Sequence, residues 1–328
     1  MTNARSRLPT FRRHLLLAAL WGAASSVWAQ TPAQAPIRLI VPFTPGTGID
    51  LVARQIAPAL AERLGRPVFV ENKTGASGNI GTQEVVRAPA DGTTLLVSVN
   101  TLVMNRALYP KLSYDPLKDL APVSLTSWGQ LLLVTTPKTG IESLQQLVAR
   151  AKAKPEGLSY ASPGAGTPHH LAMELLKNAA DISLLHVPYR GTGPAVTDLL
   201  GGQVDAMFLP IHVALQHIKA GTLKALAISS DKPSPLLPDV PPLRTLNMGN
   251  LNVDMWYGVF APKGTPAAFV ERLNRELKEI LASPATATAF GAQGMTPASS
   301  TPEQFLQLME ADAKRWADLI KAQRITTE

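Results

Sequence analysis

The chain has 328 residues with 31 lysines and arginines against 24 aspartates and glutamates, a formal net charge of +7, and no cysteine. The missing cysteine excludes disulfides, thiolate metal sites, a cysteine nucleophile and a lipid-anchored mature N-terminus. Aromatic residues make up only 5% and no lysine or arginine run occurs, so composition gives nucleic-acid binding no support.

Arg5, Arg7, Arg12 and Arg13 form a basic head before the apolar run Leu15 to Leu20, and small or short side chains follow at Val27 and Ala29. This is a three-part export signal, residues 1–29, with cleavage expected after Ala29. The apolar run falls well short of the roughly 20 residues a membrane span needs. Arg12-Arg13-His14-Leu15-Leu16 also fits a twin-arginine leader, so both export routes stay open. Cleavage takes four of the 31 bases and no acid, leaving 27 bases against 24 acids, a net charge of +3. Such a mildly basic surface has only a weak bias toward anionic ligands.

Past the leader, strand-like and helix-like segments alternate, which predicts α/β layers around parallel sheets. Residues 37–43 read as a buried strand, and Thr44-Pro45-Gly46-Thr47-Gly48 as a turn. Asp50 is expected to cap a helix to Leu64, with Gly65 as its stop and Pro58 kinking or splitting it. A strand over 68–71, a glycine-rich turn over 73–81, a helix through Val85-Val86 and a strand over 93–99 follow. The chain then reads as irregular through a surface loop at 109–116, and a short strand at 123–126 leaves the first domain.

Residues 131–135 start a second domain. Ser143 caps a helix over 144–153 with Gln146 in the capping-box position. A strand at 158–161 leads to Ser162-Pro163-Gly164-Ala165-Gly166-Thr167-Pro168, where Thr167 is the N-cap and Pro168 the first residue of a helix over 171–179. Strands at 184–188, 204–208 and 223–229 and a helix at 195–200 complete this half. Residues 231–242 are too rich in proline for regular structure. Residues 253–261 read as a return strand, and two helices close the chain. One starts at Thr265-Pro266 with Val270, Leu273, Leu277 and Ile280 on one face; the other starts at Thr301-Pro302-Glu303-Gln304. The chain thus leaves one domain, builds another and returns. The expected lobes are residues 30–126 with 258–328, and residues 127–257, joined by a hinge with a ligand cleft between them.

The most informative feature is a duplicated turn. Gly46-Thr47-Gly48 and Gly164-Ala165-Gly166-Thr167 each lie between a strand and a helix start, where glycine allows close approach to the main chain and unpaired N–H groups carry partial positive charge. One such turn is only a turn; two on opposite lobes can hold a carboxylate from both sides. Arg190 is the one cation near them. Asp205, at a strand end read as facing the cleft, suits a ligand ammonium or hydroxyl, or is a plain cap.

Enzymatic readings are weaker. Gly46-x-Gly48 followed by Glu71 imitates a dinucleotide-binding fingerprint, but Leu51 holds the third glycine position. Gly75-Ala76-Ser77-Gly78-Asn79 lacks the closing glycine of a nucleophile elbow. His169, His170, His186, His212 and His217 show no metal-ligand spacing. Each reads as a hydrogen-bonded cap or rim histidine.

The segments PIRLIVPFTPGTGID (36–50), GRPVFVENKTGASGNIG (65–81), DGTTLLVSVN (91–100), ALYPKLSYDPLKDLAPVSL (107–125), HVPYRGTGPAVTDLLGGQVDAMF (186–208) and WYGVFAPKGTP (256–266) resemble the substrate receptors of tripartite tricarboxylate transporters, the Bug-type receptors. The resemblance implies a periplasmic-binding-protein type II-like fold, a Venus flytrap of two α/β lobes. It implies a periplasmic receptor, without cofactor or catalysis, that delivers a small carboxylate to a separate membrane permease; since no apolar surface stripe demands a partner, a monomer is the expected state. Di- and tricarboxylates, aromatic acids and acidic amino acids are the candidate ligands. An exported oxidoreductase and a ligand-sensing signalling adaptor are the alternatives. The resemblance further implies a ligand gripped by Thr44, Gly46, Thr47 and Gly48, by Ala76, Ser77, Gly78 and Asn79, and by Asn100 and Thr101. The opposite lobe would contribute Ser162, Gly166, Thr167, His170, Tyr189, Arg190 and Asp205. A common family pattern has three glycines after the first proline; here Thr47 stands in the middle, and Pro168 replaces a less rigid residue.

Overall fold

The computed structural model describes residues 35–246, 251 and 253–326; the expected leader lies outside them. Five strands of each sheet follow one plan. In the first sheet β1 (Ile37–Val41) lies between β2 (Val68–Asn72) and β3 (Thr94–Val99), parallel to both. In the second, β6 (Ser159–Ser162) lies between β7 (Leu185–Pro188) and β8 (Ala206–Pro210), again parallel. An antiparallel strand donated from elsewhere in the sequence flanks each trio: β10 (Met255–Pro262) beside β3, and β5 (Leu131–Thr135) beside β8. The strands β4 (Leu120–Gly129) and β9 (Lys224–Ile228) lie outside these, both antiparallel to their neighbours, and β11 (Met295–Pro297) edges the first sheet. Both sheets are therefore mixed rather than parallel. The antiparallel partners come from distant sequence, which local patterning does not register.

Helices α1 (Gly48–Leu64), α2 (Asn79–Val86), α3 (Thr101–Leu108) and α4 (Pro116–Asp119) belong to the first half. Helices α5 (Leu144–Ala153), α6 (Pro168–Ala180), α7 (Thr192–Gly201) and α8 (Ile211–Lys219) dress the second sheet, and α9 (Ala267–Leu281), α10 (Pro284–Ala292) and α11 (Pro302–Ala322) close the chain. In α1 the residues Val52, Ala53, Ile56, Leu60 and Leu64 form the buried stripe that packs on Ile37, Leu39 and Val41 of β1. Each fully buried aliphatic side chain contributes roughly 1.5–3 kcal/mol. Pro58 does not split α1 into two elements: it lies on the exposed face, where the carbonyl it leaves unpaired can meet water. On the other sheet face, Phe305 of α11 lies over Gly258, where an added Cβ would come 2.1 Å from the ring, and packs edge-on to Trp256 at 5.3 Å.

The helix boundaries expected at Ser143, Thr301 and Gly65 fit closely. Ser143 and Thr301 accept from the backbone N–H groups of Gln146 and Gln304, and Gly65 ends α1 at φ +67°. Four helices have no counterpart in the sequence reading: the single turn α4, which follows the expected loop, and three longer ones. In α3 Leu102, Val103, Met104 and Asn105 are buried in succession, so no apolar stripe stands out. Helix α8 follows β8 without a linker, so strand and helix read as one apolar run. Helix α10 has no apolar face at helical spacing.

The chain crosses from the first sheet to the second through Gln130 alone, between β4 and β5. It returns through the proline-rich segment and enters the first sheet at Met255. No helix among the described residues is long and apolar enough to cross a membrane.

Candidate functional site

The two glycine turns are built to one plan at a spacing of 120 residues, Thr44 matching Gly164 and Gly46 matching Gly166. Gly46 and Gly166 have φ of +79° and +81°, a region open to glycine. The N-cap residues Thr47 and Thr167 have φ/ψ of −74°/160° and −76°/157°. Each threonine hydroxyl donates backwards, to the carbonyls of Thr44 (2.9 Å) and Gly164 (2.8 Å). Neither therefore caps its helix, and the first N–H groups of α1 and α6 keep no side-chain partner. Helix α7, after Gly191, likewise has no side-chain cap. Of the outlying helices, α5, α10 and α11 have one and α9 does not. The starts of α1, α6 and α7 meet at a small inner chamber of about 30 Å³, which Gly48, Ile49, Thr167, His169 and Thr192 help to line. The starts of α3 and α8, likewise without a side-chain cap, reach the same chamber through Thr101 and His212, so five positive dipole ends meet at one space.

The residue four places after each turn glycine closes the turn from behind. The Gly46 N–H donates to Asp50 Oδ2 (2.9 Å), and the Gly166 N–H to His170 Nδ1 (3.1 Å). Asp50 is thus the third residue of α1, not its cap. Burial raises the Asp50 pKa, but hydrogen bonds from Arg54, Gly46 and Asn72 outweigh it and hold the carboxyl below its ordinary value. His170 sits in a ring stack, 4.2 Å from His186, which is itself 4.8 Å from Tyr160. Burial first, then Lys177, pushes the His170 pKa down to about 4, and burial takes His186 to about 3. Replacing Asp50 with alanine strips acceptors from Gly46, Arg54 and Asn72. We expect a stability loss of about 2–4 kcal/mol in denaturant melts.

A larger outer cavity of about 550 Å³ shares the walls Phe43 and Pro163 with the inner chamber. Thr44, Ala76, Ser77, Gly78, Tyr189 and Arg190 line it, and Arg190 is the only charged residue lining either space. The turn from Gly75 through Gly78 has four successive positive φ values, with Ala76 at +46° and Ser77 at +51°. Such backbone persists only where its surroundings hold it. Here it aims Ser77 Oγ at the carbonyl of Ala165 in the opposite half (2.6 Å), a carbonyl that also accepts from Tyr109 (3.1 Å).

Of the residues singled out in sequence, Thr47, Gly48, Thr101 and Thr167 line the inner chamber and the six above line the outer one. Gly46, Gly166 and His170 support the turns from behind. Asn79 accepts from Asn105 and Tyr114, Asn100 donates to the Asp254 carbonyl, and Ser162 bonds His186 Nε2 at 2.7 Å. Asp205 lies elsewhere. It precedes β8, which runs parallel to β6, so it pairs with Ser159 N at 2.7 Å, at the opposite strand end from the turn. His169 is not a hydrogen-bonded cap: neither ring nitrogen has a protein partner. Sequence reading also missed His212 and Tyr257. His212 follows the carboxyl end of β8, where ligand-site residues gather in open α/β sheets, so that rule was the available signal.

Two lobes with a common strand order, crossed twice by the chain and facing each other over paired helix starts, define a periplasmic solute-binding protein fold. The tripartite tricarboxylate transporter family receptor pattern matches residues 52–325. BugT of Bordetella pertussis is 40% identical over 302 residues, covering 92% of this chain and 93% of its own. The structure of the periplasmic binding protein BugD matches with a TM-score of 0.85 at 32% identity, over 89% of this chain and 99% of that one. An R. palustris protein solved with adipate matches with a TM-score of 0.86 at 30% identity, over 89% and 98%. The chain belongs to the tripartite tricarboxylate transporter receptor family and is of the Bug type. Its relatives are solute-binding receptors, not enzymes.

Proposed function

We propose that this protein captures a small carboxylate between its lobes, performs no chemistry on it and presents it to a membrane permease. The observation that carries this reading is the meeting of five uncapped helix starts, those of α1, α3, α6, α7 and α8, at one chamber. Main-chain N–H groups and aligned peptide dipoles there favour an anion without a buried cation. The adipate found in the R. palustris relative supports the same ligand class. The carboxylate would take N–H groups from the Thr47-Gly48 and Thr167 turns. The rest of the ligand would extend past Phe43 into the outer cavity toward Ser77, Tyr189 and Arg190.

The lobes are residues 30–126 with 258–328, and 127–257. They hinge where the chain leaves β4 at Gly129 and enters β10 at Met255. The protein acts as a monomer in the periplasm after its leader is cleaved behind Ala29.

A thermal-shift screen of mono-, di- and tricarboxylates and aromatic acids tests this. A carboxylate that raises Tm in proportion to ln(1 + [L]/Kd) is the expected result. A transition moved by a nicotinamide cofactor and by no carboxylate would overturn it.

A further inference from the structure

Four buried polar atoms around the inner chamber have no protein partner: Thr101 Oγ1, His169 Nδ1, His169 Nε2 and His212 Nε2. Thr101 is 1% exposed and His169 9%. The hydroxyl of Tyr257, also on the wall, contacts only the sulfur of Met255, at 3.8 Å. Leaving such groups unpaired in a dry site is costly, so a ligand that pairs them gains affinity.

Their chemistry restricts what satisfies them. Burial keeps both histidines neutral, and a neutral imidazole carries one N–H and one bare nitrogen. A carboxylate can receive the N–H but has nothing to give the bare nitrogen. An ammonium can donate, but it would enter a space faced by five helix N-termini and lined by no acid. The acids behind the turns are already engaged. Asp50 accepts from Gly46, Arg54 and Asn72, and Glu174 from Tyr160 and Lys177. Asp205 is held at the far strand end by Ser159. A hydroxyl both donates and accepts and carries no charge. The chamber, about 30 Å³, suits a group of that size, since one water needs roughly 10–15 Å³ by the same measure.

We propose that the inner chamber, with Thr101, His169 and His212, recognises a hydroxyl on the carbon next to the ligand's carboxylate, making the protein a receptor for 2-hydroxy carboxylates. This rests on the carboxylate reading above. The helix starts take the carboxylate, and the neighbouring hydroxyl pairs the histidine and threonine groups.

Isothermal titration with matched acids tests it: malate, aspartate and succinate; lactate, alanine and propionate; mandelate, phenylglycine and phenylacetate. Within at least one trio the hydroxy acid is expected to bind at least about tenfold tighter than both counterparts, because a site built for a hydroxyl leaves groups unpaired with analogues lacking it. Thr101→Val, near-isosteric, should shrink that preference several-fold. The wild-type comparison decides the matter even if the variant does not fold. Equal or weaker binding of the hydroxy acids overturns the subsite and leaves the carboxylate reading standing. So does silence from all three trios while other carboxylates in the screen bind. Failure of every carboxylate in both experiments overturns the underlying reading.

Discussion

Replacing Gly48 with valine is expected to weaken ligand binding by roughly 5- to 150-fold, the equivalent of the 1–3 kcal/mol that overpacking costs. A Cβ at this position would stand 2.5 Å from Tyr257 Oη, 2.9 Å from Tyr257 Cζ and 3.1 Å from His212 Cε1. The φ of Gly48 is not in the left-handed region, so the backbone itself accepts a side chain and the cost arises at the contact. Tyr257 belongs to β10 of the first sheet, whereas His212 opens α8 beside the second. A side chain wedged between them holds the two halves apart at the mouth of the inner chamber. Titration calorimetry reads the loss of affinity, and small-angle scattering should report a larger radius of gyration for the liganded variant than for liganded wild type. An unchanged Kd would mean that the halves do not close on Gly48.

The second large effect concerns acid. Burial depresses the pKa values of His169 and His186 to about 3 and those of His170 and His212 to about 4. Released on unfolding, each returns toward about 6.5. Between those limits the unfolded chain binds more protons than the native one, so stability rises with pH. The contribution is complete above about 6.5 and is lost as pH falls toward 4, by about 1.4 kcal/mol per pH unit for each histidine that titrates fully. Tm should therefore drop steeply from pH 6.5 to 4.5, a range in which ordinary carboxylates contribute less. His170 matters most for function, because a proton on Nδ1 removes the acceptor of the Gly166 N–H and loosens the second-lobe turn. His170→Gln keeps an acceptor and removes the titration, so its Tm profile should be flatter over that interval. A wild-type Tm constant down to pH 4.5 would refute the assignment.

The parallel between Asp50 and His170 shows how one sequence device acquires two chemistries. Both residues receive the N–H of a glycine four places earlier. Asp50 is charged and anchored by Arg54, so the first turn resists acid over a range in which the second does not. The spacing is plain in the sequence; the pairing is not, because Asp50 looks equally suitable as an N-cap. The cap position went to Thr47, whose own hydroxyl then turned away to Thr44.

What the sequence determined by itself is everything that depends on neighbours within about one helical turn. It marks the duplicated glycine turns, the helix starts behind them, the caps at Ser143 and Thr301 and the stop at Gly65, since each is a bond between residues one to five places apart. It also contains the stretches that resemble the receptor family. Only the tertiary structure decided which distant strands flank β3 and β8, and so made both sheets mixed. It sent Asp205 to the far end of β8, because the direction of a strand follows from its pairing and not from its own residues. It also brought Thr101, His169, His212 and Tyr257 to the chamber where the starts of α1, α6 and α7 meet. These contacts join residues far apart in the chain. Their burial, and therefore the unpaired atoms and neutral histidines that define the chamber, exists only once the two halves have packed together.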